Sequence, residues 1–302
     1  MFANTIRKLT NRSYAATMFK KYRHIARAHK RDRDTLVIYQ MGKVGSSSIK
    51  KSIHNASLDM NVYHVHALTH QRISELEQVY KNASKVHGRA VVHSHLAESK
   101  YLRSLLDKGT EGRRWKLITM VRDPVARNFS SFFQSFDQFF PEIAKKYQSG
   151  SVKMEDDVDF LAELFIKKFD HDMPLRWFDA YLKTVFDIDV YAHNFPEANG
   201  YSTYNGPRAD MLLLRLEDMD EYAAPALGNF LDLKEPALQD DNRAEGKSYQ
   251  SAYRDFKSAI VLPDTYIDKM YESKFARHFY SSAELEAFKS KWVSSIDVVP
   301  GT

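Results

Sequence analysis

The sequence predicts an α/β fold, a three-layer sandwich in which helices cover both faces of a central parallel β-sheet. Two observations carry this expectation. Short apolar runs (Leu36–Gln40, Val62–Leu68, Trp115–Val121 and Asp210–Leu216) alternate with longer segments whose apolar residues recur every three or four positions. That alternation is what parallel strands joined by helical crossovers produce. The chemically loaded residues also cluster just after those runs, where open parallel sheets bind their ligands. With no internal repeat or low-complexity stretch, one domain is expected over residues 34–302, preceded by an arm over residues 1–33.

The arm holds ten Lys or Arg and a single acid, Asp32. Tyr14, Met18, Tyr22 and Ile25 recur at helical spacing, so it should be helical as well as basic. A solvated extension is its plainest reading, and a weak contact with an anionic membrane surface is the partner it suggests. Leu36–Gln40 reads as the first strand, and Ser46 to about Ser57 as a helix with Ile49, Ile53 and Ala56 inward. Val62–Leu68 reads as a second strand. Thr69 can cap the next helix, whose apolar face is Ile73, Leu76 and Tyr80. Arg89–His95 reads as a third strand, with a helix over Glu98–Lys108 ending at Gly109. Trp115–Val121 reads as a fourth strand and runs into Arg122-Asp123-Pro124, where the proline suits the first turn of a helix through Phe136.

Residues 139–187, rich in Phe, Lys and Asp, read as an irregular helical insertion over the sheet. Asp189–His193 reads as another strand, and Asn194–Arg208, with its Asn, Gly and Pro, as a loop. Asp210–Leu216 reads as a central strand ending in Glu217-Asp218. Helices follow over 219–231, 249–260 and 263–274, and a last one runs from the capping box Ser281-x-x-Glu284 to about Trp292.

Composition is ordinary for a globular protein, with 43% hydrophobic and 27% charged residues. No run of about 18 apolar residues occurs, so no membrane-spanning helix is expected, nor a cleavable secretion signal. The absence of cysteine excludes disulfides and thiolate metal sites and suits a reducing compartment. A cytoplasmic location is expected, at the membrane surface if the arm binds there. No nucleic-acid partner is expected.

The first strand ends in Gln40-Met-Gly42-Lys43-Val44-Gly45-Ser46-Ser47-Ser48. Strand, glycine turn and helix N-terminus in that order make an anion cradle. The glycines let backbone N–H groups converge, and the helix dipole favours negative charge. An ATP-hydrolysing or phosphotransferase loop would put the lysine directly after the last glycine and a magnesium-binding hydroxyl after it. Here Lys43 precedes Gly45, and the only strand-end magnesium candidates are Asp123 and Asp218.

The cradle resembles the 5′-phosphosulfate loop of sulfotransferases that use 3′-phosphoadenosine 5′-phosphosulfate (PAPS). Thr119-Met-Val-Arg122-Asp123-Pro124-Val-Ala-Arg127-Asn-Phe-Ser130 is similar to their 3′-phosphate motif, and Leu214-Arg-Leu-Glu217-Asp218-Met219 to another family segment. Asn242-x4-Lys247-x-Tyr249-x3-Tyr253-x2-Phe256-Lys257 is partly similar to a motif of a bacterial branch named for capsular polysaccharide synthesis; its usual Lys-Trp-Tyr-Ser becomes Lys247-Ser248-Tyr249-Gln250 here.

The resemblance implies a P-loop nucleotide-hydrolase-like fold of the sulfotransferase type. It implies that PAPS is the donor, its bisphosphate PAP the product, and a glycan or other hydroxyl compound the acceptor, with no metal. It places Gly42 to Ser48 on the 5′-phosphosulfate and Arg122 and Ser130 on the 3′-phosphate. Lys43 would neutralise the leaving oxygen, and Lys247 would close over the nucleotide. For the general base it favours His95, at the end of Val91-Val-His93-Ser-His95, with His93 and His66 next. Without the resemblance, a kinase using ATP and magnesium, or a non-catalytic glycan- or membrane-binding protein, fits the cradle as well.

His64/His66 and His93/His95 are also i, i+2 pairs with the spacing of a zinc or iron site, but no cysteine or evident carboxylate completes one. Phe129, Phe132, Phe133, Phe136, Phe139 and Phe140 have the spacing of a helix core. Tyr201 and Tyr204, read on a loop, are candidates for stacking on adenine or a sugar.

Overall fold

The structure is a computed structural model that describes residues 2–109, 114–150, 153–234 and 250–292. In chain order its first half runs α1 (Phe2–Ala28), β1 (Asp34–Tyr39), α2 (Ser46–Asn55), β2 (Met60–Val65), α3 (His70–His87), α4 (Ser94–Lys108), β3 (Trp115–Val121) and α5 (Pro124–Gln134). Then come α6 (Phe136–Phe139), α7 (Pro141–Gln148), α8 (Val158–Lys168) and α9 (Met173–Trp177), which a π-helical turn joins to α10 (Thr184–Phe186). The rest is β4 (Tyr201–Asn205), β5 (Ala209–Arg215), α11 (Met219–Leu231), α12 (Gln250–Ala259), α13 (Asp264–Tyr271), α14 (Lys274–Phe279) and α15 (Ser282–Ser290).

The protein is α/β, with one five-stranded sheet in the order β2-β1-β3-β5-β4. Four strands are parallel, and β4 pairs antiparallel with β5 at the edge. Leu36, Val37, Ile38 and Tyr39 are all at 0% exposure. Successive strand residues point to opposite faces, so the sheet is covered on both sides. One large apolar core surrounds it. A smaller one joins Tyr14 and Met18 of α1 to Ile73, Leu76 and Tyr80 of α3 and Leu96 and Ala97 of α4.

Three expectations change. Arg89–His95 is not a strand. Gly88, left-handed at φ 67°, closes α3, Ser84 Oγ accepts from Val91 N at 2.9 Å, and the chain passes through an extended His93 into α4, which begins at Ser94 rather than Glu98. β1 and β3 are direct neighbours, which leaves no place between them. Asp189–His193 is not a strand either. Asp187 turns left-handed, and the Asp189 carboxylate accepts from Tyr191 N at 2.9 Å, which tightens Val190–Ala192 into a 3₁₀ turn.

The segment read as a loop, Asn194–Arg208, contains β4. Gly206 N bonds Ala209 O at 2.9 Å and closes a hairpin onto β5. The sheet is therefore mixed where a fully parallel one was expected. Ser281 and Glu284 form the expected capping box of α15. Lys247 and the first half of the C-terminal motif, Asn242 to Tyr249, lie outside the described residues.

Candidate active site at the carboxyl ends of the strands

β1 delivers the chain into the cradle. Gly42, Lys43 and Gly45 have φ of 84°, 64° and 90°, so three of four consecutive residues are left-handed. Lys43 is the exception to the rule that such positions go to glycine, and its conformation is held by its neighbours. A Cβ on Gly45 would strike Leu216 Cδ1 and lie 3.3 Å from Met120 Cε and Met219 Sδ. Glycine is required there twice over, for the turn and for room. Val44 is fully buried and pins the loop to the core. α2 starts at Ser46 with no side-chain cap, leaving its positive end facing the loop.

Arg127, 4% exposed, stiffens the loop from behind. It donates to Met41 O at 2.8 Å, to Gly42 O at 3.2 Å and to Asn128 Oδ1 at 3.0 Å. Burial brings its guanidinium down to about 10, with Asp170 partly offsetting the loss of water. Arg122 donates Nη1 to Lys43 O at 3.2 Å. Lys43 Nζ reaches Gln134 Oε1 at 3.4 Å. Ser46 and Ser48 are buried, and Ser47 is exposed.

Gln40 is the hub between cradle and histidines. Its Nε2 donates to Ser46 Oγ at 2.8 Å and lies 3.1 Å from His64 Nε2 and 3.2 Å from His66 Nδ1; its Oε1 accepts from Gly42 N. His66 Nδ1 is also 3.0 Å from the carbonyl of Gln40, which only accepts. The shorter bond to the carbonyl needs the tautomer with the proton on Nδ1 and the lone pair on Nε2, whereas the 3.2 Å approach of Gln40 Nε2 would need the opposite one; the shorter contact favours the first. His95, in the first turn of α4, has Nε2 tied to Tyr80 OH at 2.8 Å.

The ring of His66 lies 5.1 Å from that of His64 and 4.8 Å from that of His95, and His93 stacks on His95 at 5.2 Å. Burial pushes these imidazoles down, His64 to about 3, His66 to about 4 and His95 to about 2, with His93 lowered too. They stand neutral at pH 7. No group of them among the described residues is arranged to hold a metal ion.

Cradle and histidines share one cavity of about 460 Å³, walled also by Arg72, Leu76 and Tyr80 of α3, by residues of α5, and by Met173 and Trp177 of α9. Its described lining includes Lys43, Arg72 and Arg127 and no aspartate or glutamate. Thus Gly42, Lys43, Gly45, Ser46, Ser47, His66, His93 and His95 come together, while Val44 and Ser48 support them from beneath. Arg122 and the half-buried Ser130 are not among the described lining residues; Arg122 touches the loop from outside, within electrostatic reach of Tyr253 of α12.

Tyr201 and Tyr204 lie on β4 rather than on a loop, Tyr201 near Tyr222, and neither is among the described residues lining the cavity. Of the phenylalanines, Phe129, Phe132, Phe133 and Phe136 are core, and Phe139, 41% exposed, lines the cavity. Gln40, Arg72 and Trp177 escaped sequence reasoning. Gln40, as the last residue before the cradle, carried a positional signal; Arg72 and Trp177 reach the cavity only through tertiary packing.

The two strand-end acids are spoken for. Asp123 Oδ1 accepts from Val125 N, Ala126 N and Tyr271 OH at 2.9, 3.2 and 2.9 Å. Asp218 pairs with the buried Arg215, which also bridges to Glu284 at 3.0 Å. Glu217 accepts from Asp123 N at 2.9 Å and Tyr280 OH at 3.0 Å. Asp123 and Glu217 tie the sheet to the C-terminal helices directly, and Asp218 braces the Arg215 that does the same.

A family model described as "Putative capsular polysaccharide synthesis protein" matches residues 150–281. The description connects that region with glycan chemistry. The match spans α8 to α14 and includes Met173 and Trp177, but not the cradle or the histidines. No curated protein and no solved structure matches the chain.

Proposed function

We propose that this protein is a glycan sulfotransferase, moving the sulfuryl group of PAPS to a hydroxyl. The observation that carries the reading is the shared cavity in which a left-handed Gly-Lys-x-Gly cradle meets a cluster of buried imidazoles. The acceptor oxygen attacks sulfur in line, the bond from sulfur to the bridging phosphate oxygen breaks, and PAP leaves. Lys43 and the first turn of α2 stabilise charge on the leaving phosphate. His66 takes the acceptor proton on Nε2, the nitrogen that its bond to Gln40 leaves available. His95 becomes the second choice because Tyr80 occupies its Nε2. Arg122 and Ser130 are assigned to the 3′-phosphate, Arg122 beside the cradle. The glycan acceptor is supported by the family match over residues 150–281.

A kinase would need a carboxylate for magnesium, and the commitments of Asp123 and Asp218 speak against it. Thermal unfolding with PAP, with ATP plus magnesium, and with neither tests the reading. PAP alone should raise the midpoint, since a ligand of the folded state stabilises it by mass action. Stabilisation by ATP with magnesium and not by PAP would favour the kinase, and by neither nucleotide, a non-catalytic protein.

A further inference from the structure

We propose that the acceptor sugar carries a carboxylate and that Arg72 anchors it, so that the protein acts on an acidic glycan rather than a neutral one. This rests on the reading that a hydroxyl acceptor enters the cavity beside the cradle. Of the three lining cations, Arg127 is consumed by the oxygens of Met41, Gly42 and Asn128. Lys43 belongs to the cradle. Arg72 stands apart from both, on α3, where its position in the first turn is set by its backbone N–H bonding the Thr69 cap at 3.2 Å.

Its side chain is 16% exposed. Among the described residues its guanidinium has one partner, Glu75 Oε2, at 3.0 Å from Nη1. The rest of the planar fork is left for a second carboxylate, which it fits in bidentate fashion. Nothing acidic in the described lining competes for it. Arg72 lines the cavity as well as pairing with Glu75 toward the surface.

The surroundings suit a sugar ring. Arg72, Leu76 and Tyr80 follow at i, i+4 and i+8 and share one face of α3. Met173 and Trp177 also wall the cavity. A cation beside an apolar and aromatic wall fits a ring bearing a carboxylate.

The test is calorimetric binding of a galacturonate hexasaccharide and of the same oligosaccharide after carboxyl reduction, with PAP present. The acid should bind about tenfold more tightly or better, the effect of one charge-assisted hydrogen-bonded pair. Arg72→Gln should remove the preference, and Arg72→Lys should restore part of it. Equal affinity of the wild-type protein for the two oligosaccharides would overturn the proposal, whatever the variants do. Preference for the acid in a protein that does not bind PAP would refute the donor assignment and leave the acidic subsite standing.

Discussion

His66 and His95 differ in what their ring nitrogens are doing, and that difference is measurable. His66 has its proton held on Nδ1 by the Gln40 carbonyl, so Nε2 is presented as an acceptor; His95 shares Nε2 with Tyr80. His66→Asn should lower sulfuryl transfer by about 10²- to 10⁴-fold with the fold intact, and His95→Asn by less. The reverse order in a labelled-donor assay would return the base to His95. Gly45 makes a separate case. Gly45→Ala puts a Cβ at φ 90° against Leu216, and should cost about 2 kcal/mol in denaturant unfolding and weaken PAP binding with it.

At the scale of elements, the basic arm is part of the wall behind the site. Tyr14 and Met18 of α1 are 2% and 7% exposed and pack on the same small core as Leu76, Tyr80 and Leu96. α3 and α4, which carry Arg72, Tyr80 and His95, are thereby clamped from outside. Tyr14→Ala should cost about 3 kcal/mol through the cavity that it leaves. Tyr14→Phe should change stability by less than about 0.5 kcal/mol, because the hydroxyl has no hydrogen-bond partner among the described residues. A small loss for Tyr14→Ala would mean that α1 is dispensable to the fold. Lys20, Arg23 and Arg27 stay exposed on α1, the face left for any anionic surface.

For the whole molecule, the buried imidazoles tie stability to pH. His64 and His66 have folded values near 3 and 4, below the ordinary 6.5 that they regain on unfolding. Below pH 6.5 the unfolded chain therefore binds more protons, so their contribution is complete above 6.5 and is lost as the pH falls toward 4. Asp123 and Glu217, pushed up by burial, act in the opposite sense. The histidine share is isolated by comparing wild type with His66→Asn. Between pH 6 and 4 the variant should lose stability less steeply, by up to about 1.4 kcal/mol per pH unit. Parallel stability profiles would mean that His66 is protonated as readily folded as unfolded.

The α/β class, the cradle, the four apolar strands that became β1, β2, β3 and β5, and the Ser281 capping box were legible in residue order. Each rests on local chemistry: apolar periodicity, glycine at left-handed turns, hydroxyls at helix starts. What misled was local too. Arg89–His95 has the composition of a strand, but the Ser84 side chain takes its Val91 N–H, the chain turns into α4 at Ser94, and β1 and β3 pair directly with no strand between them. Asn205-Gly206 was a hairpin signal hidden in an apparent loop, and it made β4 antiparallel. Only the tertiary structure brought Arg72 and Trp177 to the cavity, buried Arg127 behind the loop and set the His66 tautomer through Gln40. Strand and turn formation depends on neighbours in sequence, whereas the charge, room and proton placement of the cavity depend on residues that meet only when the sheet is assembled.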